Sequence, residues 1–308
     1  MINVGISKVQ VSHVEQFIEY LSKVRNLSEN TLRSYQTDLL AFEQWCSREG
    51  VEVTKVDHRN LRLYLAYLKQ AQYSAKTLNR HLSALRGFYK WIQREKLIAT
   101  DPALSLSNPR APRNLPHTMT DSDVNKLLEI CDISTAVGLR DRAFLEFLYA
   151  TGARISEVAS LKLEQIDLQN GTVRLFGKGS KERIVPLYES AIEWLKKYLS
   201  SSRPTLLLKD KAGRAHSALF ISVRGNTMSA DSLRKVFSSY LTAAGLDSSL
   251  SPHAMRHTYA TELLGGGADL RIVQELLGHE SLSTTQVYTH LSVDRLKEAA
   301  KAAHPRSK

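Results

Sequence analysis

Six polar residues in the C-terminal part of the chain, Arg154, Lys178, His253, Arg256, His279 and Tyr288, could together perform phosphodiester chemistry without a metal. Such chemistry needs an in-line nucleophile, cations that neutralise the non-bridging oxygens, and an acid that protonates the departing oxygen. Arg154 follows Thr151-Gly152-Ala153, small residues that let a backbone or a phosphate approach, and its planar fork suits phosphate oxygens. Glu157, one helical turn on, could orient it, although the two also read as an ordinary i,i+3 surface pair. Lys178 sits between two glycines at the tip of a turn, either a solvated lysine or a proton donor on an arm that reaches a groove. His253 and Arg256 lie one turn apart. His253 and His257 have the i,i+4 spacing of a metal pair, but no Glu follows His253, and His279-Glu280 completes no H-E-x-x-H motif, so no metal is expected. Tyr288 by itself reads as a half-buried aromatic rather than a nucleophile. A phenol with a pKa near 10 attacks only where cations stabilise its phenolate.

The elements that must hold these groups are mostly helical. Ser28 is a plausible N-cap for a segment with Leu32, Tyr35, Leu39 and Phe42 on one face, closed by Gly50. Asp57 can cap a helix to about residue 70, and Ser74 a helix over 75–94. On the latter, Leu78, Leu82, Leu85, Phe88, Tyr89 and Ile92 share one arc. Lys76, Arg80, Arg86, Lys90 and Arg94 occupy the opposite one, with no acid before Glu95 to pair with them. That pattern predicts phosphate contact by these five cations. Pro102, Pro109, Pro112 and Pro116 then mark an extended linker over 101–116. A Thr120/Asp123 capping box opens the second domain. Strands are expected at 166–168, 172–176 and 183–187, with tight turns at Asn170-Gly171 and 177–180; helices resume at Glu189 and near Asp231.

Composition agrees with a polyanionic partner. The 308 residues carry a formal net charge of +11. Ten basic residues between Lys55 and Lys96 face only Asp57 and Glu95. The two cysteines, Cys46 and Cys131, suggest core thiols rather than a disulfide or metal framework. The opening MINVGISKVQ has no apolar signal core and no run approaches membrane-spanning length, so a cytoplasmic protein is expected.

No one residue of the set is decisive, but their order is. Arg154, Lys178, His253, Arg256, His279 and Tyr288, in the phrases TGARISE, GKGSKERIVPL, SPHAMRHTYAT and LLGHESLSTTQVYTH, resemble the catalytic signature of the tyrosine recombinases, the phage integrase family. LSENTLRSYQTDLLAFEQW and LNRHLSALRGFYKWI are similar to that family's core-binding helices, so the resemblance spans nearly the whole chain. The compact length, the LSTTQVYTH context and the ending AAHPRSK most resemble the Xer subgroup, which resolves chromosome dimers.

The resemblance implies a mainly α fold with a small antiparallel β-sheet in the C-terminal domain. It implies a two-domain clamp on double-stranded DNA, with a helical core-binding domain at 1–100 and a catalytic domain at 117–308. It further implies that Tyr288 forms a 3′-phosphotyrosyl link, Arg154 and Arg256 clamp the phosphate, and Lys178 protonates the 5′-oxygen. His253 and His279 would assist, and neither ATP, metal nor other cofactor is required. A tetramer on two DNA sites is implied, with or without a related second recombinase, and residues 293–300 would dock on a neighbouring protomer. An integrase or transposase of a mobile element, a type IB topoisomerase and a catalytically silent DNA-binding regulator are the competing readings.

Overall fold

The computed structural model describes residues 12–25, 27, 29–108, 118–177, 182–210, 213, 217–278 and 302–303. The chain forms two compact units, Met1–Asn114 and Leu115–Lys308.

Among the described residues the first unit has four α-helices, α1 (His13–Lys23), α2 (Glu29–Arg48), α3 (His58–Gln70) and α4 (Ala75–Arg94). Local signals set their limits. The Ser74 hydroxyl accepts the Thr77 N–H at 3.2 Å, and Asp57 and Asn60 form a reciprocal capping box on α3. Ser28, the expected cap of α2, lies outside the described residues, whereas α2 ends just before Gly50 as expected. Leu78, Leu82, Leu85, Phe88, Tyr89 and Ile92 are all buried, so the apolar arc of α4 is the inner wall of this unit. Each such side chain contributes roughly 1.5–3 kcal/mol by leaving water. The expected linker does not begin as an extended strap. Residues 102–105 turn, the Asp101 carboxylate accepts the Ala103 N–H at 2.8 Å, and Ala103 and Leu106 are buried in the same core. Two apolar side chains among the prolines have surface to bury, and that outweighs the extended preference. Residues 109–117 lie outside the described residues.

The second unit is built around α6 (Ala136–Thr151), which is buried on nearly every face. Its buried charges are matched, Arg140 with Asp141 at 2.7 Å and Arg142 with Glu146 at 3.1 Å. The expected Thr120/Asp123 capping box opens α5 (Asp121–Glu129). α7 (Ile155–Ser160) follows α6 after a short turn, and then come β1 (Ile166–Asp167), β2 (Thr172–Phe176) and β3 (Glu182–Pro186). They form an antiparallel sheet in the order β1-β2-β3, with Val173 opposite Val185 and Leu175 opposite Arg183. The expected turn at 177–180 lies outside the described residues beyond Gly177. α8 (Glu189–Lys197) passes through a π-helical turn, Tyr198–Ser202, into α9 (Arg203–Leu207). α10 (Ala230–Ala243), α11 (Pro252–Gly265) and α12 (Leu270–Leu277) follow. α12 packs on both β3 and α11. Residues 293–300 are outside the described set; Ala303 is buried in this unit's own core, against Gly266. No helix among the described residues is long and apolar enough to cross a membrane.

Candidate active site

Arg154 is the residue at which α6's following turn becomes α7. Its backbone N–H donates to Glu157 Oε2 at 2.8 Å, and its Nη1 donates to Glu157 Oε1 at 2.9 Å. The i,i+3 pair expected from sequence is therefore present, but it is no surface pair, because the Glu157 side chain is only 4% exposed. Arg183, reaching in from β3, grips the same carboxylate with both terminal nitrogens, Nη1 at 3.0 Å and Nη2 at 2.7 Å. Burial alone would raise the Glu157 pKa. The hydrogen bonds and charges of Arg183 and Arg154 outweigh it and hold the carboxyl below its ordinary value.

Arg256, on α11, is the third guanidinium. It is buried and donates through Nη1 to the Gly152 carbonyl at 2.6 Å and through Nη2 to the Leu277 carbonyl. Burial first, and then the charges of Arg154 and Arg183, bring its pKa down to about 10, so it stays cationic at neutral pH. Gly152 is required where it stands. It has φ +54°, and a Cβ there would lie 2.6 Å from the Tyr259 ring. The small residues before Arg154 thus serve close packing that frees the Gly152 carbonyl for Arg256.

The three arginines converge on one more feature. Three consecutive carbonyls at the C-terminal end of α12 each accept from a different one: Leu276 from Arg183 Nε at 2.7 Å, Leu277 from Arg256, and Gly278 from Arg154 Nη2 at 3.2 Å. A helix end leaves such carbonyls without intrahelical partners and carries partial negative charge, so cations are stabilised there. Three guanidiniums against one carboxylate leave an excess of positive charge. The Arg154 side chain is 36% exposed and presents that excess to solvent. The arrangement is able to bind a phosphodiester and to stabilise negative charge developing on its oxygens.

Of the six residues expected from sequence, the structure brings Arg154 and Arg256 to this cluster. It puts His253 in the exposed first turn of α11, one turn before Arg256. Lys178, His279 and Tyr288 lie outside the described residues; His279 follows Gly278 directly in the chain. Arg183 is not among the six. The available signal was its register, since strand alternation puts it on the same face as Val185, an arginine at an inward position. Among the described residues, no group of three or more His, Cys, Asp or Glu could hold a metal ion.

The five cations of α4 divide into two kinds. Arg80 pairs with the buried Asp38 of α2 at 2.6 Å and donates to the Ser34 carbonyl at 3.2 Å. Arg86 donates to Asn108 Oδ1 at 2.7 Å and to the Leu106 carbonyl. Arg94 lies over the Tyr20 ring at 4.4 Å and donates to its hydroxyl and to Glu95. Lys76 and Lys90 are exposed and have no such partner among the described residues. The acids absent from α4 itself are supplied in part by another helix.

The sequence profile of the phage integrase family matches residues 117–295, and that of the phage integrase N-terminal SAM-like domain matches 14–96. The tyrosine recombinase XerC of Pelotomaculum thermopropionicum is 41% identical over 302 residues, covering 96% of this chain and 99% of its own. XerD of Pseudomonas putida is 42% identical over 293 residues, covering 95% and 97%. Among solved structures, the XerH site-specific recombinase bound to palindromic difH, in a post-cleavage complex, aligns with a TM-score of 0.70 at 29% identity, covering 94% of this chain and 84% of its own. A lambda integrase dimer bound to a core site shares the fold, with a TM-score of 0.65 at 18% identity, covering 91% and 98%.

Proposed function

Because this chain belongs to the phage integrase family, among its Xer tyrosine recombinases, we propose that it resolves chromosome dimers ahead of cell division. It is a site-specific DNA-cutting and rejoining enzyme. In the proposed reaction it acts in the cytoplasm, as a tetramer on two double-stranded DNA sites. The Tyr288 oxygen bonds to the scissile phosphorus while the bond from phosphorus to the 5′-oxygen breaks. Lys178 gives that oxygen its proton, leaving a 3′-phosphotyrosyl link and a 5′-hydroxyl. Arg154 and Arg256 hold the non-bridging oxygens, and His253 and His279 assist with phosphate binding and proton transfer. A 5′-hydroxyl of the partner duplex then attacks the link and releases Tyr288. One phosphodiester replaces another at each step, so no nucleotide triphosphate is consumed. The observation that carries the reading is the guanidinium cluster around Glu157, a cationic site with one arginine open to solvent.

Sequencing the DNA that the protein traps covalently in cells tests the chromosomal role. The expected result is one recurring chromosomal site. Recovery of the ends of an inserted element instead would assign the enzyme to mobile DNA.

The cationic face of α4 is proposed to contribute sequence-independent affinity through Lys76 and Lys90, with Arg80, Arg86 and Arg94 held in place beside them. Replacing Lys76 and Lys90 with Ala should flatten the dependence of log K on log salt by about 0.9 for each DNA phosphate no longer neutralised. An unchanged slope in a binding titration would mean that the face meets only solvent. Arg80→Ala is a poorer probe, since it would leave Asp38 buried without its cation.

A further inference from the structure

We propose that Arg183 is a positioning residue for strand cleavage, holding Glu157 and the end of α12 so that Arg154 and Arg256 meet the scissile phosphate in register. The inference rests on the phosphate-clamping roles proposed above for those two arginines. Arg183 is itself buried, and its Nε, Nη1 and Nη2 all donate within the protein, so it acts through its neighbours rather than on the substrate.

Three interactions converge on it. Both oxygens of Glu157 take a donor from Arg183, which orients the carboxylate whose remaining capacity aims the Arg154 guanidinium and caps its backbone N–H. The Nε hydrogen bond at 2.7 Å ties the Leu276 carbonyl, and with it the helix end whose next two carbonyls receive Arg256 and Arg154. Gly278 shows how closely that end is drawn in: it has φ +64°, and a Cβ there would stand 3.2 Å from Arg183 Nη1 and 3.3 Å from its Cδ. Arg183 lies in β3, shortly after Lys178 in the chain, and the tied helix end immediately precedes His279. One side chain therefore joins β3, which follows Lys178 in sequence, to the helix end that precedes His279. A lysine could not replace it, because a single ammonium lacks the fork that satisfies a carboxylate and a carbonyl together.

The test uses full-length protein and a nicked duplex carrying the site recovered by covalent trapping. It is made with either the natural phosphate or an uncharged methylphosphonate at the scissile position. Single-turnover adduct formation by Arg183→Gln should fall by about 10²-fold on the phosphate, the scale of misplacing a reacting group by an ångström. The DNA dissociation constant should stay near the wild type's. On the methylphosphonate, where there is no charge to neutralise, the gap between variant and wild type should narrow to within about tenfold, as it should for Arg154→Ala. Arg183→Lys should remain slow. The double variant Glu157→Gln/Arg183→Gln, which removes the buried carboxylate and its buried bidentate partner together, should fold and be no slower than the worse single variant.

A full-rate Arg183→Lys, a full-rate double variant, or a deficit equal on both substrates would each overturn the proposal. If wild-type protein forms no adduct on the phosphate duplex, strand cleavage itself is refuted and this inference falls with it. A wild-type adduct beside an unimpaired Arg183→Gln refutes only the role of Arg183.

Discussion

Tyr288→Phe is expected to form no SDS-resistant protein–DNA adduct while binding DNA as tightly as the wild type. The substitution removes one oxygen and keeps the ring, so it deletes the nucleophile and little else. The proposed chemistry leaves no substitute. A phenol with a pKa near 10 is a usable nucleophile only beside cations that stabilise its phenolate. The cluster of Arg154, Arg183 and Arg256 supplies such cations at the end of α12, the helix that precedes Tyr288 in the chain. Denaturing gels of protein incubated with nicked site DNA, read beside a native binding titration, check both halves. An adduct retained by the phenylalanine variant would put the nucleophile on another residue.

Lys178→Ala is expected to cleave ordinary DNA about 10²–10⁴-fold more slowly, the usual contribution of a general acid. An alkoxide leaves poorly, so loss of the proton donor should fall on the bond-breaking step. A bridging sulfur in place of the 5′-oxygen departs as a thiolate, whose conjugate acid is stronger than an alcohol by several pKa units, and needs no proton. On such a 5′-phosphorothiolate duplex Lys178→Ala should approach the wild-type rate. Arg154→Ala should stay slow on both substrates, because its part is to neutralise the phosphate rather than to protonate the leaving group. Failure of the sulfur substrate to rescue Lys178→Ala selectively would move the proton donor elsewhere, with His253 or His279 the next to be tested by the same substitution.

Much of the fold was legible in the sequence because the forces that set it are local. Ser74, Asp57 and Thr120 each cap a helix where expected, since a cap needs only its own residue and the N–H groups two or three positions on. The apolar arc of α4 is buried because helical periodicity alone brings those six side chains to one side. β2 runs as expected, and β1 and β3 within a residue or so, from alternation and turn residues. Arg154 and Glu157 are paired because three residues are one helical turn. The six-residue signature is legible through its order and phrasing, for none of its members stands out from its own surroundings.

Tertiary structure decided what spans long separations. The cations of α4 look unopposed in sequence because their own helix holds no acid, yet Asp38 arrives from α2 to pair with Arg80. The proline-rich stretch looks extended, yet its apolar residues find a core to enter. Arg183 looks like the start of a strand. Its meaning comes from Glu157, 26 residues earlier, and Leu276, 93 residues later. No periodicity encodes such pairings. They exist only once β3, α7 and α12 pack, and packing then makes a buried guanidinium favourable by surrounding it with a carboxylate and a helix end that need its donors.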